Sequence, residues 1–192
     1  GLCATRASGL KTQFGTMGKP YNAGIAASNG VECARLAQLG MGSIDDGLMA
    51  PQAFVATHHA GGQEADLPDD DVFLFEDNKY KLHACCHGTH AMIEALLDIP
   101  EVRSRPLADI ASITLATNPR WLTVCDLKAP RTGLEVKFSY GWLAGMTIRG
   151  DRTGDDRIYG DELAKDGELA DFSQRMTVHG DDGLSDLEAR GT

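Results

Sequence analysis

The chain has 192 residues, 42% apolar and 6% aromatic, with 18 Lys and Arg against 28 Asp and Glu for a formal net charge of -10. That length suits one domain or two small ones with a real core, and that charge repels phosphate backbones and anionic lipid, which excludes nucleic acid and membrane surfaces as natural partners. No apolar run approaches the roughly 18 to 20 residues of a spanning helix, the opening residues do not read as a signal peptide, and five cysteines (Cys3, Cys33, Cys85, Cys86, Cys125), an odd number, fit reduced thiols in a cytoplasmic protein.

The first chemical stretch is "FGTMGKPYNAG", residues 14 to 24. A glycine-rich turn leading into a helix N-terminus can hold a carboxylate or phosphate, and Lys19 lies within it. The spacing is not that of a P-loop, and by itself Lys19 reads equally as a solvated surface lysine. The following "AGIAASNGVECARLAQLG", residues 23 to 40, places Ala23, Ala26, Ala27, Gly30, Ala34 and Ala37 at helical spacing. It predicts a buried helix whose small face admits close approach of another helix, ending at Gly40. Residues 43 to 58, "SIDDGLMAPQAFVATH", predict a connection and a second helix opening near Ala50 and Pro51. Residues 60 to 71 are polar and rich in Gly and Asp, which predicts a loop and a domain boundary. The expected organisation is therefore α+β: a partial all-helical domain over 1–71, then a small α/β domain over 72–192.

The second part opens on "VFLFED", which predicts a short strand. Then "KYKLHACCHGTHAMIEAL", residues 79 to 96, holds three of the six histidines and two of the five cysteines. Cys85, Cys86, His87 and His90 resemble metal ligands, but structural zinc sites pair two knuckles separated along the chain, and the second is missing. A cysteine nucleophile needs a helix N-terminus or a cation to lower its pKa; Cys86 precedes a predicted helix and Lys81 is near in sequence. The blander reading makes Cys85 and Cys86 small apolar fillers at a tight turn. His90 falls in the first turn of the predicted helix "THAMIEALLDI", where an anion is favoured and a histidine's pKa falls. Thr89 is placed to cap that helix, with Met92, Ala95, Leu96 and Ile99 as its apolar stripe.

"ASITLAT" alternates like a half-buried strand. "PRTGLEVKFSYGWLAGMTIRG" predicts a turn and then a helix through Trp142, with Lys137 and Ser139 at its entry. Lys137 reads without further information as a lysine snorkelling from a half-buried helix. Residues 151 to 171 predict an acidic, Gly-rich loop with a short helix around "DELAKD", and "FSQRMTVHGDDGL" a strand running into a turn. His58, His59 and His179 receive no role.

Three segments, in this order, resemble the MmgE/PrpD family, which includes 2-methylcitrate dehydratases, cis-aconitate decarboxylases and iminodisuccinate epimerases. They are "GTMGKPYNAGIAA" (15–27) against GT-x-x-K-x-x-H-x-G-x-A-A, "KLHACCHGTHAMIEA" (81–95) against K-x-Y-P-C-C-x-x-T-H-x-x-I-(D/E)-A, and "GLEVKFS" (133–139) against G-x-E-A-K-F-S. The resemblance implies a helical domain followed by an α/β lid, and a cofactor-independent lyase of the dehydratase type acting on a small di- or tricarboxylate such as 2-methylcitrate. It assigns Lys81, His90 and Lys19 to catalysis and Cys86, Lys137 and Ser139 to substrate binding, with no metal, and implies a homo-oligomer, commonly a dimer. Asn22 stands where the family has His, His83 and Ala84 where it has Tyr-Pro, and Trp142 where the decarboxylase branch has Tyr. These departures leave open an epimerase of the same family. Full-length members are well over twice as long, so the resemblance implies a fragment lacking N- and C-terminal helical segments, active or reduced to a structural or binding module.

Overall fold

The computed structural model describes residues 1–59, 72–103 and 105–185. The chain divides into two compact units, Gly1–Asn78 and Lys79–Thr192.

The first unit is helical, with α1 (Leu2–Thr5), α2 (Gly18–Gln38) and α3 (Phe54–His58). The Thr16 hydroxyl accepts the Gly18 N–H at 3.1 Å at the start of α2. The helix stops where expected, at Gly40, whose φ of +89° is open to glycine at little cost. It is not buried, however. Of its residues only Cys33 is buried, and Tyr21 and Val31 are exposed. The alanines that suggested a close-packed face instead supply helix propensity on an exposed surface. Within the unit α2 meets the short α1, where the Asn29 side chain donates to the Arg6 carbonyl at 2.8 Å. The second helix opens at Phe54 rather than near Pro51, because Gln52 has a φ of +66°, which no right-handed helix accommodates. "VFLFED" is not a strand but a 3₁₀ turn over Leu74–Asp77. With Phe73 and Phe75 exposed, nothing buries a strand's apolar face there.

The second unit is α+β, as expected. It contains α4 (His90–Leu97), β1 (Ile113–Thr117), α5 (Pro119–Cys125), α6 (Gly133–Val136), α7 (Tyr140–Arg149), α8 (Gly167–Ser173) and β2 (Met176–Gly180). The strands pair in parallel, from Ile113 with Met176 to Thr117 with Gly180. Helix α7 is the spine of this unit. Its residues from Trp142 through Ile148 are all buried, and it packs on α4 and α8. Leu143, Met146, Ile93, Leu169 and Phe172 are at most 1% exposed, and each stabilises the fold by about 1.5–3 kcal/mol through burial. A Cβ at Gly145 would stand 2.7 Å from Leu169, so the glycine sets how closely α8 approaches. Side chains close the helix starts: Ser139 on α7, Thr132 on α6, Asn118 on α5 and Asp166 on α8. Gly150, at φ +88°, ends α7. Among the described residues no helix is long and apolar enough to cross a membrane.

Candidate functional site

The segment from Lys81 to His90 is pinned from two directions. Ala84 N–H donates to the Thr153 carbonyl at 2.9 Å, and Cys86 N–H to the Lys137 carbonyl at 3.0 Å. The backbone then makes a 3₁₀ turn over His87–Thr89 and enters α4 at His90. Thr89 occupies the N-cap position, but its side chain does not cap. The hydroxyl turns back and donates to the Cys86 carbonyl at 2.7 Å, so it closes the turn rather than the helix.

This turn brings two predicted residues to the Cys85 backbone. Lys81 Nζ donates to the Cys85 carbonyl at 3.1 Å, and the Cys85 backbone acts on the His90 ring, raising its pKa. His90 Nε2 is buried and has no partner. In the tautomer that carries its hydrogen on Nδ1, the lone pair lies on Nε2. Burial lowers the His90 pKa to about 4, assisted by His83, His87 and Lys81 and opposed by the Cys85 backbone. In neutral solution His90 is thus an uncharged ring with a buried, unused acceptor.

Two other imidazoles flank it. The His83 ring lies edge-on at 5.1 Å between centroids and the His87 ring at 5.5 Å. His87 also meets the Trp121 ring edge-on at 6.4 Å. His83 is buried, with Nε2 2.7 Å from Glu94 Oε1 and Nδ1 2.7 Å from Thr153 Oγ1. Sequence reasoning passed over His83, Glu94 and Thr153. A signal existed for Glu94, which stands one helical turn beyond His90, but nothing local marks Thr153, seventy residues from His83.

The cysteines are packed thiols. Cys85 is buried with Sγ 3.1 Å from Thr89 Oγ1, and burial pushes its pKa up. Cys125 is pushed far above the thiol range by its hydrogen bond with Cys86 and then by burial. Cys86, weighed as a nucleophile from the sequence, is therefore the partner of a second thiol. Among the described residues no group of three or more His, Cys, Asp and Glu side chains is arranged to hold a metal ion.

The remaining candidates divide. Lys137 stays beside the turn through its carbonyl, and its ammonium, with that of Lys81, acts on the Cys85 thiol. That ammonium is ion-paired with Asp156 and lies 4.7 Å above the Tyr159 ring. Ser139 is 1% exposed and its Oγ accepts the Trp142 N–H at 3.4 Å. It lines a separate hollow of about 170 Å³ with Lys128 and Gln174. Lys19 belongs to the other unit, in the first turn of α2, 4.7 Å above the Phe14 ring. A cleft of about 450 Å³ runs between α4 and β1, lined by Ala91, Ala95, Leu96, Leu115 and Tyr140 among others, and none of the candidate residues faces it.

The family model of the MmgE/PrpD C-terminal domain matches residues 83–191 of the chain. No curated protein matches it.

Proposed function

The chain belongs to the MmgE/PrpD family, and from that premise we propose that it is a dehydratase-type lyase acting on a small di- or tricarboxylate such as 2-methylcitrate. One observation carries the reading. Lys81 bonds the Cys85 carbonyl and its charge reaches His90, whose Nε2 remains buried and unpartnered.

Dehydration of a hydroxy polycarboxylate begins with loss of a proton from the carbon beside a carboxylate. A lone pair must receive that proton, and the carboxylate must carry the developing charge. His90 Nε2 is the acceptor in this reading. The Lys81 ammonium stands against the carboxylate and offsets its developing charge. The C–H electron pair becomes the new double bond as hydroxide departs from the neighbouring carbon. The proton held by His90 returns to that hydroxide, water leaves, and the site is reset. Lys137 and Cys86 border the same turn and would contact the rest of the substrate. Lys19 is a further cation in this reading, and Lys19→Ala tests its share.

A second reading has its own support. Lys137 is already paired with Asp156 and Ser139 caps α7, so two of the groups assigned to substrate are engaged within the fold. This favours a non-catalytic module that binds the carboxylate through Lys81 alone. Turnover of 2-methylcitrate, citrate and cis-aconitate separates the two. The lyase reading expects a new conjugated double bond by ultraviolet absorbance, lost on Lys81→Ala and His90→Gln. Binding of the same acids without turnover would establish the module instead.

The same proposal places the chain in a reducing, cytoplasmic compartment, in keeping with its free thiols. It also makes the protein a homodimer, supported by exposed Met17, Tyr21 and Leu39 on the first unit. Sedimentation of the purified chain as a monomer would remove that part.

A further inference from the structure

We propose that His83 is a positioning residue for His90: held between Glu94 and Thr153, it fixes the orientation of that ring. The inference rests on the reading of His90 as the base, but it concerns a residue to which neither the catalytic nor the binding role was assigned.

The geometry is a clamp. His83 is 8% exposed and both its ring nitrogens are occupied, Nε2 by Glu94 and Nδ1 by Thr153, each at 2.7 Å. The two jaws come from different elements. Glu94 lies on α4, and Thr153 lies beyond the end of α7. Thr153 is itself 5% exposed, and its carbonyl receives the Ala84 N–H at 2.9 Å and the Tyr159 hydroxyl at 3.0 Å. The His83 ring therefore cannot turn without breaking two short bonds. Its ring meets the His90 ring at an interplanar angle of 77°, and the His87 ring lies 5.5 Å from His90 at 57°. His90 Nε2 is left without a partner.

The clamp also suits either charge state. Glu94 is an acceptor, so His83 Nε2 carries a hydrogen throughout. The Thr153 hydroxyl donates to Nδ1 of the neutral ring and turns to accept from Nδ1–H of the imidazolium. No hydrogen bond is lost when His83 becomes charged, and the Glu94 carboxylate is its counter-ion. His90 Nε2 has no such partner. Besides His83, the charged and titratable groups facing His90 are Lys81 from the preceding segment and His87 from the 3₁₀ turn, and each lowers its pKa.

The test is a pH titration of the full chain with ¹⁵N-labelled histidine, followed through long-range proton–nitrogen correlations that report charge and tautomer ring by ring. In the wild type His90 should be the Nδ1–H tautomer with a midpoint at about 4. His83→Phe keeps a ring but removes both jaws' bonds and the charge. The His90 midpoint should then rise by about half a pH unit or more, and the single tautomer should give way to a mixture. His83→Tyr keeps a hydroxyl for Glu94 and serves if the Phe variant does not fold; it should raise the midpoint too. An unchanged midpoint and tautomer in a folded variant overturns the proposal, as does a wild-type His90 that titrates in the ordinary range. Turnover is not the readout. A chain without lyase activity but with this coupling intact would overturn the proposed function and leave the role of His83 standing.

Discussion

Removing one oxygen from Tyr140 should cost the second unit about 2 kcal/mol. Tyr140 opens α7 and is 1% exposed. Its hydroxyl donates to the Gly88 carbonyl at 3.0 Å and lies 3.2 Å from Thr117 Oγ1. One oxygen thus ties three pieces together: the spine helix, the end of β1, and the turn that carries His87 and His90. Gly88 and Thr117 are both buried, so the substitution takes a hydrogen-bond partner from each. Each buried polar group left unpaired costs about 1–3 kcal/mol. Relief from burying the tyrosine hydroxyl offsets part of this, which leaves about 2 kcal/mol for Tyr140→Phe. Both tryptophans, Trp121 and Trp142, lie in this unit, so their fluorescence during urea unfolding reports on it. With a slope of about 2 kcal/mol per molar for a unit of this size, the midpoint should fall by about 1 M with the slope unchanged. A fall below about 0.25 M would show that Gly88 and Thr117 are satisfied without Tyr140, and the three-way tie would be wrong.

Other outcomes follow from the same structure. Gly133→Ala puts a Cβ 2.0 Å from the Tyr159 carbonyl oxygen and 2.6 Å from that of Gly160; neither can swing aside, so unfolding measurements should show a loss above about 3 kcal/mol, and a variant as stable as wild type would contradict the packing of α6. Arg149→Gln removes a cation that bonds Asp151 at 2.7 and 3.1 Å and Asp166 at 2.7 Å; it should destabilise by about 1–2 kcal/mol, less in high salt, and a salt-independent loss would point to packing instead. Because burial holds His90 neutral down to about pH 4, the unfolded chain binds that proton first. Its contribution to stability is therefore intact above the ordinary histidine range and is lost as pH falls toward 4. Denaturation midpoints across that range should slope downward with falling pH, and His90→Gln should flatten the slope.

Much of the second unit was legible because its signals are local. The alternation of "ASITLAT", the turn-to-helix pattern around Trp142 and the strand at "RMTVHG" each carry their own period, and each forms the expected element. The heptapeptide at α5 was passed over, since "PRWLTVC" is too short to show a helical period, although Asn118 and Pro119 mark its start. The buried helix at residues 23 to 40 was misread for a different reason. Alanine-rich spacing reports helix formation, but burial depends on a partner, which sequence spacing does not supply. At the site, Lys81 and His90 lie on one stretch of ten residues, so their nearness was readable. The anchor of Lys81 on a backbone carbonyl was not, because backbone acceptors leave no mark in the sequence. The His83 clamp closes over a long separation to Thr153, and the ion pair that occupies Lys137 comes from Asp156, in the loop beyond α7.

In the proposed reaction His90 Nε2 takes a proton from the carbon beside a carboxylate held by Lys81. The most direct measurement incubates the chain with 2-methylcitrate or citrate in deuterium oxide and follows the methylene and methine protons by NMR. The account predicts exchange or elimination at the carbon beside the carboxylate, abolished by His90→Gln and strongly reduced by Lys81→Ala, with both variants folded. Exchange that persists undiminished in folded His90→Gln would contradict it, and so would a wild-type chain that binds these acids and leaves every carbon-bound proton in place.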